Sequence, residues 1–219
     1  MGADQQTRRV LVVTSVEAER DAVLRGLQGD HRFTLLIGGV GPATAAASTA
    51  RELATSEYDL VICAGICGGF NGRAEVGSLV VASDIICADL GAETPEGFCA
   101  VDELGFGSSR AEVDQNLATQ VTNAMQSQGL AAKMGQVLTL STVTGSAETA
   151  AALANRMPDA AAEAMEGYGV AIAAQQQGLP ILEIRAVSNA IGPRDKSAWR
   201  IKDALGALEK ASSVLREVL

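Results

Sequence analysis

The titratable residues of this sequence limit the acid–base chemistry that it can perform. It contains one histidine, His31, which excludes histidine-based metal clusters and most serine–histidine triads. Carboxylates, amides or water must therefore carry any proton transfer, and we expect neither a metal nor a cofactor. The four cysteines lack the C-x-x-C spacing of zinc and redox sites and lie in or beside apolar runs, so we expect buried, reduced thiols; they are Cys63, Cys67, Cys87 and Cys99.

Two short segments carry carboxylates near the start of a helical pattern. SVEAER contains Glu17 and Glu19 directly after an apolar run, and EAMEG contains Glu163 and Glu166. Acidic side chains in the first turn of a helix are common because they favour the positive end of its dipole. Both pairs therefore have a structural explanation as well as a catalytic one.

Two glycine clusters could bring main-chain amides close to a ligand. LLIGGVGPATAAAS follows an apolar run, but it lacks the third glycine of a dinucleotide fingerprint and an acid about 20 residues later. A structural turn and a ligand loop both remain open for it. In VICAGICGGFNGR, four glycines separate two apolar runs where one tight turn would be enough. We therefore expect a substrate to pass close to the main chain there.

Apolar runs and helical periodicity alternate along the chain, which predicts an α/β protein with a mostly parallel sheet covered by helices. Two stretches, 65–77 and 90–109, have no clear periodicity and are predicted to be long loops that cover a ligand. The predicted strands are 9–14, 33–38, 60–63, 79–88, 136–140 and 181–187, and the predicted helices are 17–27, 42–54, 110–128, 147–155, 163–177 and 197–218.

Composition and charge point to a small-molecule substrate. The chain has 219 residues and a formal net charge of -9, which opposes binding to nucleic acid and to anionic lipid. No apolar run approaches the roughly 20 residues needed to span a bilayer, and no signal segment is present. We expect a cytoplasmic protein with no nucleic-acid or membrane partner.

The ordered set SVEAER, VICAGICGGFNGR, EAMEG and EIRAVSN resembles the nucleoside phosphorylase and nucleosidase family, in the branch of methylthioadenosine/S-adenosylhomocysteine nucleosidase. The match spans nearly the whole chain. It implies one domain over residues 1–219, a three-layer α/β/α fold with a central mixed, mostly parallel sheet, a purine nucleoside substrate, and a homodimer or larger homo-oligomer. Three further segments, ADLGAETPEGF, DELGFGSS and RAVSNAIGPRDKSAWRI, are most similar to the family members that hydrolyse futalosine in an alternative menaquinone pathway.

The resemblance also implies roles for the carboxylates. Glu19 takes the position of the group that orients and deprotonates the attacking water, with Glu17 as the competing candidate. Met165 would lie under the sugar face. Glu166 would accept hydrogen bonds from the ribose hydroxyls, a task that suits an ionised carboxylate and needs no metal.

At the base, the resemblance implies a 6-oxopurine. Adenine-specific relatives carry Asp where this sequence has Asn189, and an amide can donate to N7 and also face a 6-oxo group. Asn189 could instead simply cap the following loop. Further implied substrate contacts are Val143, Thr144, Gly68, Val40 and Arg185, the last as support for Asn189 or its loop; Phe70, Phe98 and Phe106 are candidates for packing on the base.

Hydrolysis is favoured over phosphorolysis. Phosphorolytic relatives carry an arginine motif near the first strand, whereas VVTSVEAER offers carboxylates that would repel phosphate and activate water. An adenine-type nucleosidase, a purine nucleoside phosphorylase and a catalytically silent nucleoside-binding protein remain as alternatives. Futalosine carries a benzoate on its 5′ side, for which Arg110, Arg194, Lys196 and Arg200 are candidate partners, with Trp199 packing on the ring.

Overall fold

The computed structural model describes residues 8–219. Its elements alternate along most of the chain, as the periodicity predicts. They are β1 (Val10–Thr14), α1 (Glu17–Leu27), β2 (Phe33–Ile37), α2 (Pro42–Leu53), β3 (Leu60–Gly69), β4 (Leu79–Cys87), β5 (Gly91–Thr94), β6 (Gly97–Ala100), β7 (Arg110–Glu112), α3 (Gln115–Ser127), β8 (Ala132–Thr139), α4 (Ala147–Arg156), β9 (Ala160–Ala164), α5 (Gly167–Gln176), β10 (Ile181–Ala190), a 3₁₀ turn (Lys196–Ala198) and α6 (Ile201–Val218).

The central sheet is mixed and mostly parallel, which confirms the predicted fold class. Its strands follow the order β10-β4-β8-β9-β3-β1-β2, β7 pairs with β4, and an additional pairing joins β10 to β3. The β10–β4, β3–β9 and β4–β7 pairs are antiparallel, and the other pairs are parallel. Because β3 pairs with both β9 and β10, five of the strands form a closed ring.

Side chains alternate between the two faces of the sheet, as expected for strands buried on both sides. On β1, Val10 and Val12 pack into a cluster with helices α1, α3 and α6. Leu11 and Val13 point the other way and pack with α2 and α5. The layers on both faces therefore fix the sheet whose strand ends carry the candidate catalytic groups.

Two segments that determine the site are strands, contrary to the prediction from sequence. The predicted loop at 65–77 begins inside β3, which continues to Gly69, and the predicted helix at 163–177 begins inside β9. β9 has the sequence AAAEA, which carries neither the branched side chains nor the alternation that indicate a strand. Glu163 therefore lies in a strand and not in the first turn of a helix.

Several further boundaries also differ from the prediction. The strand predicted at 136–140 begins at Ala132, and the one predicted at 181–187 continues to Ala190. The predicted loop 90–109 contains the β5–β6 hairpin. The predicted helix 110–128 is divided between the short strand β7 and helix α3, which begins after the N-cap residue Asp114. The predicted helix 197–218 begins only at Ile201. Over residues 8–219, no helix is long and apolar enough to cross a lipid bilayer.

Candidate active site

A cavity of about 380 Å³ opens where β1, β3, β9 and β10 end. The carboxyl ends of parallel strands are the usual location of ligand sites in α/β sheets. Its wall contains Ser15, Val16, Glu19, Val40, Ile66, Cys67, Gly68, Val143, Thr144, Glu163, Ala164, Met165, Glu166, Ser188, Asn189, Ala190, Gly192, Pro193, Arg194 and Trp199. All nine predicted site residues except Arg185 are in this wall.

Glu19 is held in the cavity by main-chain donors. Its Oε2 accepts hydrogen bonds from the amides of Ser15 (2.9 Å) and Val16 (3.4 Å), and its Oε1 accepts one from Ile66 (2.8 Å). The bond to Val16 is the return bond of an N3 glutamate to its N-cap residue. These three donors stabilise the negative charge and fix its direction. Glu17 is exposed and outside the cavity wall.

The approach of Glu19 depends on Gly65 in β3. A Cβ atom at this position would lie 2.6 Å from Glu19 Oε1 and 2.7 Å from Arg185 Nη1. Real Cβ atoms do not make contacts this short, so the glycine leaves the space in which the carboxylate reaches the amide of Ile66. The glycine cluster thus has a role in positioning a side chain as well as in exposing the main chain.

Glu166 is buried at the start of α5 and contacts the loop that precedes α2. Its Oε1 accepts from the amide of Gly41 (3.2 Å), and its Oε2 is 3.4 Å from Arg185 Nη2. The amide of Met165 is also within 3.3 Å of Oε2. The amide of Gly41 in the first glycine cluster therefore binds a side chain of this protein, the carboxylate of Glu166.

Arg185 corrects one of the predictions from sequence. Its side chain is 1% exposed and lies beneath the cavity, where it pairs with Glu183 (2.7 Å) and Glu166 (3.4 Å). It is absent from the cavity wall and has no hydrogen bond to Asn189. The buried guanidinium of Arg185 therefore holds the carboxylate of Glu166, which is one of its two ion-pair partners.

Asn189 lies at the end of β10 and is oriented by its neighbours. Ser188 Oγ donates to Asn189 Oδ1 (2.7 Å), and Asn189 Nδ2 donates to the carbonyl of Ala190 (3.0 Å). One N–H of the amide and one lone pair of its oxygen remain available to a ligand. Asn189 therefore caps only one group of the following loop, the carbonyl of Ala190.

Glu163 is a cavity carboxylate for which the family resemblance implied no particular role. It is 4% exposed, and it accepts hydrogen bonds from Thr144 N (2.8 Å) and Thr144 Oγ1 (2.6 Å). Burial raises the pKa of Glu163, and the two bonds from Thr144 lower it in part. Its contacts could not be inferred from local spacing, because Thr144 is 19 positions away.

The candidates for packing on the base and for binding the 5′ group are only partly in the cavity. Phe70, Phe98 and Phe106 are outside its wall, and Phe106 is 84% exposed. Arg194 and Trp199 are in the wall, with the guanidinium carbon 5.2 Å from the centre of the indole. The other cations are outside it: Arg110 pairs with Asp84, Arg200 pairs with Asp203, and Lys196 is exposed.

Within residues 8–219, no group of three or more histidine, cysteine, aspartate or glutamate side chains is arranged to hold a metal ion. The four thiols are unpaired, and three are buried, while Cys99 is only half-buried. The carboxylates and the amide that line the cavity can activate water, bind a diol and hydrogen-bond to a heterocyclic base.

The comparisons with known proteins agree with this fold. A family model described as the phosphorylase superfamily matches residues 5–219. A futalosine hydrolase from Streptomyces coelicolor is 50% identical over 96% of each chain, and one from Acidothermus cellulolyticus is 44% identical over 94% of this chain and 89% of that protein. The chain therefore belongs to the phosphorylase superfamily and, within it, to the group of futalosine hydrolases.

Solved structures support the same architecture. The native structure of a futalosine hydrolase from Helicobacter pylori superimposes with a TM-score of 0.83 at 17% identity, over 98% of this chain and 100% of that chain. A methylthioadenosine/S-adenosylhomocysteine nucleosidase from Neisseria meningitidis superimposes with a TM-score of 0.79 at 22% identity, over 96% of this chain and 99% of that chain. At these identities the likeness is one of fold.

Proposed function

We propose that the chain is a nucleosidase that hydrolyses the N-glycosidic bond of futalosine and releases hypoxanthine and dehypoxanthine futalosine in menaquinone biosynthesis. Membership of the futalosine hydrolase group supports the reaction and the substrate. The observation that carries the mechanism is the Glu19 carboxylate, held by three main-chain amides in the same cavity as Glu166 and Asn189.

In the proposed reaction the bond between C1′ and the base breaks with the development of positive charge on the sugar. Glu19 orients a water molecule, accepts its proton and directs its oxygen to C1′. Glu166 accepts hydrogen bonds from the ribose hydroxyls. Asn189 donates to the purine and stabilises the charge that the leaving base acquires; since an amide is not a full general acid, the proton on the departing base arrives through water.

Water is a better acceptor than phosphate in this cavity. Glu19, Glu163 and Glu166 would repel a dianion, and the amide of Gly41 already donates to Glu166. Among residues 8–219, Arg194 is the one cationic side chain in the wall. Phosphorolysis would require a cluster of donors beside the ribose, so these charges favour hydrolysis.

Replacement of Glu19 by Gln tests the proposed mechanism. Glu19→Gln should bind nucleoside nearly as well as the wild type and lower kcat by about 10²- to 10⁴-fold, because it removes the base that activates water. Glu17→Gln is the matched control, since Glu17 is exposed and outside the cavity, and it should keep wild-type turnover. The measurement is the release of free base from futalosine, identified by chromatography, with and without phosphate.

The same assay discriminates between the alternatives. Release of hypoxanthine from futalosine without phosphate supports the proposal, whereas release of adenine from methylthioadenosine alone, or a strict need for phosphate, contradicts it. Wild-type turnover by Glu19→Gln would remove Glu19 as the base. Failure of the wild-type protein to release any base would favour a silent binding protein.

For the 5′ side, we propose that Arg194 and Trp199 bind the carboxylated ring. Arg194 makes no ion pair among residues 8–219, and the carboxylate of its neighbour Asp195 instead accepts from Ser197. A guanidinium beside an indole suits a group that is both aromatic and anionic. The cavity wall therefore contains Arg194 and Trp199 in addition to its three glutamates.

The substitution Arg194→Met should raise KM for futalosine about tenfold and leave KM for inosine, which lacks the ring, unchanged; this corresponds to the loss of one charge-assisted hydrogen bond. Arg200→Met is the control, because Arg200 is outside the cavity and pairs with Asp203. Steady-state kinetics on the two substrates gives the comparison. Equal changes in KM for both would show that Arg194 does not contact the 5′ group.

The proposal extends to the organisation of the protein. We propose a single-domain chain that assembles as a homodimer in the cytoplasm, where its four unpaired thiols would stay reduced. Light scattering after size-exclusion chromatography should give twice the 22.5 kDa mass of the chain; the mass of one chain would contradict the dimer.

A further inference from the structure

Three residues lie side by side across the sheet at the floor of the cavity. Gly68 of β3 pairs with Glu163 of β9 on one side and with Asn189 of β10 on the other. The register of β10 shifts between Val187 and Asn189, so distances, and not the pairing alone, show which side chains meet here. The middle residue is glycine, and the side chain of Ile191 occupies the space directly over it.

The distances show that Glu163 and Asn189 both lie close to Gly68. A Cβ atom at Gly68 would lie 3.5 Å from Glu163 Cγ and 3.6 Å from Asn189 Nδ2. Both side chains also line the cavity of about 380 Å³, a volume in the range that holds a small planar ligand. All three residues are in the cavity wall.

Glu163 and Asn189 differ in the hydrogen-bonding groups that they still offer to a base. The amide of Thr144 already donates to Glu163 Oε1 and its hydroxyl donates to Oε2, so this amide is not free to donate to a base. Each carboxylate oxygen keeps a second lone pair. Asn189 keeps one N–H, because its other amide hydrogen is used by the carbonyl of Ala190.

We propose that Glu163 determines the base specificity of the enzyme by accepting a hydrogen bond from N1–H of a 6-oxopurine, while the free N–H of Asn189 donates to the N7 and O6 edge. The proposal rests on the nucleosidase function proposed above and adds a specificity-determining residue to it. Glu163 contacts the base, and Asn189 and Glu163 together read its two polar edges.

The contrast with adenine follows from the direction of the hydrogen bonds. In a 6-oxopurine N1 carries a hydrogen and donates, whereas in adenine N1 has a lone pair that would face the lone pairs of Glu163. A buried group left without its partner is costly, and sites built around such a bond reject analogues that lack it. Burial raises the pKa of Glu163, and a donor at N1 would offset the cost of its charge.

The test compares affinity for the two free bases in Glu163→Gln. Gln can keep both contacts to Thr144, with its oxygen accepting from the amide and its NH2 donating to the hydroxyl, but it presents a donor to the base. The Kd ratio of adenine to hypoxanthine, measured by calorimetry, should fall by about tenfold or more. The ratio of kcat/KM for futalosine over methylthioadenosine should fall with it. Glu148→Gln, an exposed glutamate on α4, is the matched control and should change neither ratio.

The outcomes separate the two proposals. If the wild type releases no hypoxanthine from futalosine, the nucleosidase function fails. If the wild type is active and Glu163→Gln keeps the base ratio of the wild type, the role of Glu163 fails and the function stands. Should the variant not fold, a crystal structure of the wild type with hypoxanthine decides the matter: a carboxylate of Glu163 within hydrogen-bond distance of N1 supports the proposal, and any other group at N1 overturns it.

Discussion

The guanidinium of Arg185 holds two carboxylates together beneath the cavity. Burial alone would lower the pKa of Arg185, but Cys63, Glu183 and Glu166 raise it well above its usual value. The arginine therefore stays charged, and Glu166 faces a fixed positive charge from below. Glu183 Oε2 has no hydrogen-bond partner among the described residues. A buried charge cluster of this kind fixes a geometry more than it adds stability, and the geometry that it fixes is that of the proposed ribose-binding carboxylate.

Glu163 should make the stability of the protein depend on pH. Because burial raises its pKa, the folded state binds the proton of Glu163 more tightly than the unfolded chain does. Its contribution is most favourable below the unfolded pKa and is lost as the pH rises through the folded pKa. Glu163→Gln lacks this titration, so its free energy of unfolding relative to the wild type should increase between pH 4 and pH 8.

Urea denaturation of both proteins across this pH range measures the effect. The absolute curves contain many titrating groups, but the difference between the two proteins isolates Glu163. Glu148→Gln provides the baseline, because Glu148 is exposed, and its difference from the wild type should be flat. A difference for Glu163→Gln that decreases with rising pH would show that the carboxylate is more favourable when ionised in the folded protein.

At the scale of elements, two helical glycines have opposite surroundings. Gly26 lies in α1 against α6, and a Cβ atom there would be 2.2 Å from the carbonyl oxygen of Glu209. Gly206 lies within α6 with no atom within 4 Å of its Cβ position. The first glycine permits two backbones to approach, and the second has no packing requirement.

Alanine substitutions should therefore change stability in opposite directions. Gly26→Ala must separate α1 from α6 and should lower the free energy of unfolding by about 1–3 kcal/mol, as for overpacking in a core. Gly206→Ala should raise it by about 0.5–1 kcal/mol, because alanine has the higher helix propensity. Denaturant unfolding curves provide both values. A stabilised Gly26→Ala would mean that the two helices can separate without cost.

The elements also show what the sequence could predict. β1 and the apolar part of β3 were predictable because branched apolar residues carry a strong strand signal. β9 was not, since AAAEA has high helix propensity and becomes a strand through its pairing with β3 and β8. Glu19, Glu166 and Asn189 were recognisable from a family pattern, whereas the role of Arg185 depended on Glu166, which lies 19 positions away. Local patterns contain no information about such partners.

At the scale of the whole molecule, strands β3, β9, β8, β4 and β10 form a closed ring, and β3 carries two of the buried thiols. Cys63 and Cys67 both lie on β3, which pairs with β1, β9 and β10. Because β3 is paired on both sides and Cys63 packs in a cluster with helices α2 and α5, we expect its exposure to require separation of these elements. Opening events that break a central strand approach the cost of global unfolding.

Thiol reactivity should therefore report on the whole fold. Burial raises the pKa of Cys67 to about 12 and that of Cys87 to about 11, and burial also raises the pKa of Cys63, so little thiolate exists at pH 8. In the folded protein one thiol, that of the half-buried Cys99, should react rapidly with Ellman's reagent, and all four should react in concentrated urea. Cys99→Ser should remove the fast phase and leave the rest unchanged.

As urea increases, the slow thiols should become reactive together with the loss of helical circular dichroism, because they lie in one cooperative unit. Rapid reaction of Cys63, which is outside the cavity wall, without denaturant would show that the ring of strands opens locally.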